Sequence, residues 1–150
     1  MVARTYRVSK TFNAPFHFVY DWCTDFREDD NELAGKTWKR HIIEKTKERA
    51  VYISHWQEEG KQFEGVRVVT LKPPSAWHLD GVDEDEDEVG DYRLTPLGKN
   101  KTKLEMIFEV TFKRGEPESK ESWEADASET WDRFKSALEK DYASGRSATA

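Results

Sequence analysis

Apolar and polar residues alternate from the first turn of the chain. In "RTYRVSKTF", Tyr6, Val8 and Phe12 fall on one side, and Arg7, Ser9 and Thr11 on the other. A period of two is that of a half-buried strand, and Lys10 is the one interruption of its apolar face. The period then changes. In "FNAPFHFVYDWCTDF", Asn13 offers an N-cap and Pro15 fits a first helical turn. Phe16, Val19, Tyr20 and Cys23 form one helical stripe, and Phe18 and Trp22 form a second. A helix apolar over so much of its surface is expected to be wedged between a sheet and another element. "DFREDDNELAG" reads as a second short helix stopped near Gly35.

From Lys36 to Lys113, strand-length apolar runs recur between turn signals. They are "KTWKRHIIE", "RAVYISHWQ", "EGVRVVTLK", "AWHLDGV", "VGDYRLTPL" and "TKLEMIFEVTFK". Six strands at this spacing predict an antiparallel meander. Leu104, Met106, Phe108, Val110 and Phe112 share one face of the last. After the connector "RGEPES", Trp123, Ala127, Trp131, Phe134 and Leu138 repeat at helical spacing. They predict a long amphipathic helix from about Ser119 to Tyr142, capped by Ser119 or Glu118. The order predicts an α+β fold, with a seven-stranded antiparallel sheet curved around the terminal helix. The two short helices, between strands one and two, are expected to close one end.

This order resembles the START-like, or SRPBCC, superfamily of helix-grip proteins. That group includes pollen-allergen-like proteins and the polyketide cyclase/dehydrase family. The early motif is matched by Phe12, Ala14, Pro15, Val19, Tyr20 and Asp25. A later one is matched by Tyr92, Leu94, Pro96, Gly98, Thr102 and Leu104, with one extra residue in the turn. The resemblance spans residues 4 to 142. It implies a single domain over residues 1–142 and a cavity between sheet and terminal helix; residues 143–150, small and polar, read as a flexible tail. These motifs specify a fold; chemistry on such a scaffold varies.

Composition narrows the function. The net charge is -6, and the cations are scattered without a basic stripe, which argues against sequence-independent nucleic-acid binding. The N-terminal segment has no signal-type apolar core and no run spans a bilayer, so the expectation is a cytoplasmic protein without integral membrane association. The lone Cys23 fits a reducing compartment and reads as a buried small hydrophobe. Six Trp, eight Phe and five Tyr in a chain that is 36% charged point to a core of large rings.

Candidate chemistry is sparse. The four histidines, His17, His41, His55 and His78, stand singly and lack metal-ligand spacing, so no metal is expected. No cofactor motif occurs. His55, beside Trp56, is a possible pocket acid or base but reads more simply as a half-exposed strand residue. The acidic run Asp83 to Glu88 reads as a solvated hairpin tip. Arg67 is a possible anchor for a carboxylate or enolate if it points inward, whereas alternation turns Arg93 outward. The expected pocket residues are Trp56, Trp77, Tyr92, Met106, Phe108, Trp131 and Phe134, on strands and helix that share one interior. Periodicity fits a packed core equally well, but buried Trp and Tyr tips favour a wet or ligand-filled interior. The leading expectation is binding or transport of a small hydrophobic molecule, lipid, polyketide or isoprenoid-like, in an enclosed apolar pocket. The alternatives are a cyclase or aromatase-type enzyme and a protein-interaction module such as a chaperone co-activator.

Overall fold

The computed structural model describes residues 1–146 and 148. The elements are β1 (Val2–Phe12), α1 (Phe16–Cys23), α2 (Asp30–Ala34), β2 (Lys39–Lys45), β3 (Arg49–Glu58), β4 (Lys61–Lys72), β5 (Ala76–Val82), β6 (Glu86–Gly98), β7 (Lys101–Phe112) and α3 (Lys120–Ala143). The strands form one antiparallel sheet in the order β1-β7-β6-β5-β4-β3-β2. Strands two to seven are therefore a plain meander, and β1 returns to pair with the last of them. The element order and sheet are those of a helix-grip fold. The expected tail falls in part on residues 147, 149 and 150, which lie outside the described residues.

The alternation read in β7 is the burial pattern observed. Leu104, Met106, Phe108, Val110 and Phe112 are buried, while Ile107 faces solvent. Lys10, the break in β1, points inward and is satisfied by α3. Its Nζ lies 2.7 Å from Asp132 Oδ1 and 2.6 Å from Ser128 Oγ. The two motifs that carry the family resemblance meet in space. Phe12 pairs with Thr102 in the β1–β7 register, and the buried Thr102 hydroxyl donates to the Ala14 carbonyl at 2.9 Å.

Helix α1 differs slightly from its expected start. Pro15 itself occupies the N-cap position, with extended backbone, and Asn13 makes no cap. The Asn13 N–H is instead taken by Glu139 Oε2 of α3 at 2.7 Å. The two aromatic stripes of α1 do face two partners. Tyr20 meets Trp77 of β5 edge-on at 5.9 Å, whereas Trp22 and Phe18 reach α3, at Phe134 and Tyr142. Trp22 Nε1 also donates to Asp141 Oδ2 at 3.0 Å. Helix α3 is capped by Ser119, whose Oγ accepts from the Ser122 N–H. It packs mainly on β1, α2 and α1, and stands off the β3–β4 half of the sheet. That divergence leaves space over β3 to β6.

Candidate functional site

The space is a cavity of about 680 Å³, bounded by β3, β4, β6, the α2–β2 link and the first half of α3. It opens to solvent rather than being enclosed, and its walls mix rings with charges, unlike the apolar pocket expected. Strand register explains the mixture. One inward row runs Ile42, Tyr52, Arg67, Gly81, Glu88, Val110 across β2 to β7. Arg67 and Glu88 flank Gly81 in this row. Gly81 gives the arginine room: a Cβ there would stand 2.8 Å from Arg67 Cδ. Gly65 does the same, with its absent Cβ 2.8 Å from Arg67 Nη1. The guanidinium thus lies along the sheet, 3.7 Å from the Asp83 carboxylate.

The back wall is aromatic. Tyr92 stacks on Trp77 at 4.9 Å, meets Phe108 edge-on at 5.5 Å and approaches Trp131 at 6.3 Å. Trp131 continues to Phe134, and Phe134 to Trp22. With Tyr20 against Trp77, the rings make a closed circuit from α1 through the sheet to α3 and back. Trp123 of α3 adds a stack on Tyr6 at 4.4 Å. At the far side Arg40 lies over Tyr52 at 4.4 Å, and is also within reach of the rings of Trp38 and Phe26. It forms an ion pair with Asp30 and donates to the Arg27 carbonyl at 3.0 Å, which ties α2 to β2.

Burial shifts the acids of the site. Desolvation pushes the Glu86 carboxyl up to about 7, aided by Asp83 and Glu88 and opposed by Arg67. Glu88 is also raised, chiefly by desolvation, with Arg67 pulling it down and Asp83 pushing it up. Burial holds the Tyr92 hydroxyl well above its ordinary range, and raises that of Tyr52.

Of the expected pocket residues, Trp56, Tyr92, Phe108 and Trp131 line the cavity. Trp77, Met106 and Phe134 do not. Trp77 is covered by Tyr92, Met106 is buried in the sheet's packed face, and Phe134 turns towards Trp22. Arg67 points in and Arg93 is exposed. His55 takes the outward parity between Ser54 and Trp56 and sits 3.4 Å from Glu64. His78 is likewise on the outer face, 2.7 Å from Asp91, whose hydrogen bond raises its pKa. Burial raises the Cys23 thiol out of the reactive range.

The acidic run is the main correction. Asp83 does make the β5–β6 turn, its Oδ1 accepting from the N–H groups of Asp85 and Glu86. But Asp83 is buried, and Glu86 and Glu88 project into the cavity. The signal was present in the parity of Glu86, Glu88, Gly90 and Tyr92, which share one face once Tyr92 is placed inside. Tyr52, Arg40 and Trp123 were also missed. Among the described residues, no group of three His, Cys, Asp or Glu side chains is arranged to hold a metal ion. Among the described residues, no helix is long and apolar enough to cross a membrane.

No protein-family model matches the chain, and no curated protein matches it in sequence. Solved structures do match in fold. The Zhui aromatase/cyclase from a Streptomyces strain superposes with a TM-score of 0.76 at 14% identity, covering 97% of this chain and 99% of that one. Ara h 8.0201 gives a TM-score of 0.70 at 12% identity, over 91% and 98% of the two chains. A START superfamily protein from Mycobacterium smegmatis gives 0.64 at 16% identity, over 91% and 94%. At these identities the likeness is one of fold, and the fold is the START-like helix grip.

Proposed function

We propose that this protein binds a small, largely hydrophobic molecule in the cavity between the sheet and α3. The observation that carries the reading is the wall itself. Tyr52, Trp56, Tyr92, Phe108, Trp123 and Trp131 converge on one space of about 680 Å³, within the range of ligand sites. Flat rings supply large contact area at low entropic cost, and the carboxylates and Arg67 supply orientation. Lipids, polyketides and isoprenoid-like molecules all offer the necessary apolar surface, and a planar ring system fits the stacked wall best. Structures of the same fold include an aromatase/cyclase, which supports a ligand of this general kind.

A second reading, catalysis of cyclase or aromatase type, is favoured by one feature. Glu86 faces the cavity with its carboxyl raised to about 7, where an acid can both give and take a proton near neutrality. Arg67, close by, would steady a developing enolate.

Tryptophan fluorescence during titration with a panel of planar aromatic and lipid ligands tests the first reading. Trp56, Trp123 and Trp131 should report saturable binding, and Trp131→Ala should weaken it about tenfold or more. A flat response across the panel, together with no thermal shift, overturns the binding reading. Turnover of a bound poly-β-ketone analogue that is lost in Glu86→Gln would establish the second.

A further inference from the structure

We propose that the cavity selects organic cations, seating an ammonium or similar group between Glu88, Glu86 and the faces of the aromatic wall. The inference rests on the binding reading above and gives it a ligand class. Its first ground is the pairing of charge around the cavity. Each cation on the wall already has a carboxylate. Arg40 pairs with Asp30, Lys36 with Asp126 at 3.0 Å, and Arg67 lies 3.7 Å from Asp83. Glu86 and Glu88 line the same cavity and form no hydrogen bond or close ion pair through their side chains among the described residues. One guanidinium, Arg67, is thus shared among Asp83, Glu86 and Glu88. The wall carries more carboxylates than cations, and a carboxylate taken out of water without a counter-charge is costly.

The second ground is independent of the acids. Tyr92 lines the cavity wall half-buried, and its hydroxyl lies in the field of Glu88, Tyr52, Arg40 and Arg67 with no hydrogen-bond partner among the described residues. It is an acceptor open to an N–H donor. The faces of Tyr92, Trp131, Trp123 and Trp56 surround the same space. Ring faces carry negative quadrupole potential and attract a cation, most strongly in a desolvated site. Rings and carboxylates together favour a positive group and disfavour an anionic one.

The groups facing the two glutamates come from every side. They are Arg67 of β4, Asp83 of the β5–β6 turn, Glu118 before α3, Tyr6 of β1, Tyr52 of β3 and Tyr92 of β6. With Glu86 near half-protonated at neutral pH, an arriving cation stabilises its ionised form, so a proton leaves the site on binding.

The test uses three probes with one ring system: naphthylethylamine, naphthylethanol and naphthylacetate. Calorimetry and tryptophan quenching near neutral pH should show the amine binding about tenfold or more tighter than the alcohol, with the acid weakest. The amine's binding heat should vary with the buffer's ionisation enthalpy, in the sense of proton release, whereas the alcohol's should not. In Glu88→Gln the amine's preference over the alcohol should fall to a few-fold, and in Glu86→Gln the proton release should vanish. Alcohol or acid binding as tightly as the amine overturns the cation proposal while leaving a ligand cavity standing. An amine preference that survives in both variants overturns it too, because the carboxylates are then not its source. Absence of binding by all three probes overturns both readings. The wild-type comparison and its buffer dependence decide the matter even if a variant does not fold.

Discussion

Two residues show how local chemistry shapes the site. Gly81 is the gap through which Arg67 lies flat, since its missing Cβ would stand 2.8 Å from the arginine's Cδ. Gly81→Val should force the guanidinium off the sheet and away from Asp83. Urea unfolding should show a loss of about 1–3 kcal/mol, the usual cost of overpacking. A variant as stable as wild type would mean that Arg67 moves freely. Glu86 sets a pH dependence. Its carboxyl rises from 4.5 in the unfolded chain to about 7 in the fold. The folded state then holds a proton that the unfolded chain has lost, so stability falls as pH rises through this interval, and the penalty is complete above it. Part of the side chain faces the open cavity, which screens the effect to about 1–2 kcal/mol. Compared by urea midpoint at pH 5 and pH 8, Glu86→Gln should gain on wild type at the higher pH by roughly that amount. Equal differences at both pH values would place the carboxyl in water.

At the scale of elements, one buried hydrogen bond joins β7 to the start of α1. The Thr102 hydroxyl is fully buried and donates to the Ala14 carbonyl at 2.9 Å. Thr102→Val keeps the shape but leaves that carbonyl unpaired, at a cost of about 1–3 kcal/mol measured by denaturant unfolding. The elements themselves were legible because each apolar run keeps its period for its whole length. In β7 five apolar residues, with Thr102 before them, alternate inward without a slip, and in α3 Trp123, Ala127, Trp131, Phe134 and Leu138 hold one stripe. The site was less legible, for two physical reasons. A run of six acids signals solvent by composition, and only the shortness of the β5–β6 turn returns Glu86 and Glu88 to the inner parity. Ring periodicity also cannot separate a wall from the layer behind it. Trp77 and Tyr92 are register partners on the same face, yet the stack leaves Tyr92 at the cavity and Trp77 beneath it.

Over the whole molecule, the packing of α3 and the cavity occupy different halves of the sheet. Helix α3 is held against β1 by Lys10–Asp132, by the backbone N–H of Arg7 donating to Glu124 at 2.6 Å, and by the Tyr6–Trp123 stack. It is held at its other end by Trp22–Asp141. Over β3 and β4 the helix contributes few contacts, and the cavity takes their place. Those two strands turn Tyr52, Trp56 and Arg67 towards the cavity. A sheet half with fewer packed neighbours opens locally at lower free energy than the half that bears the helix. Ligand binding stabilises the state that it binds, by about 2.7 kcal/mol at a hundred times its dissociation constant. Hydrogen exchange with and without a saturating ligand should therefore show slowed amides first in Arg49–Lys72 and in the first half of α3. The amides of β1 and β7 should change only as far as global unfolding governs them. Protection confined to β1 and β7 would move the site away from this cavity, and with it the assignment of Tyr52, Arg67 and Glu88 to ligand contact.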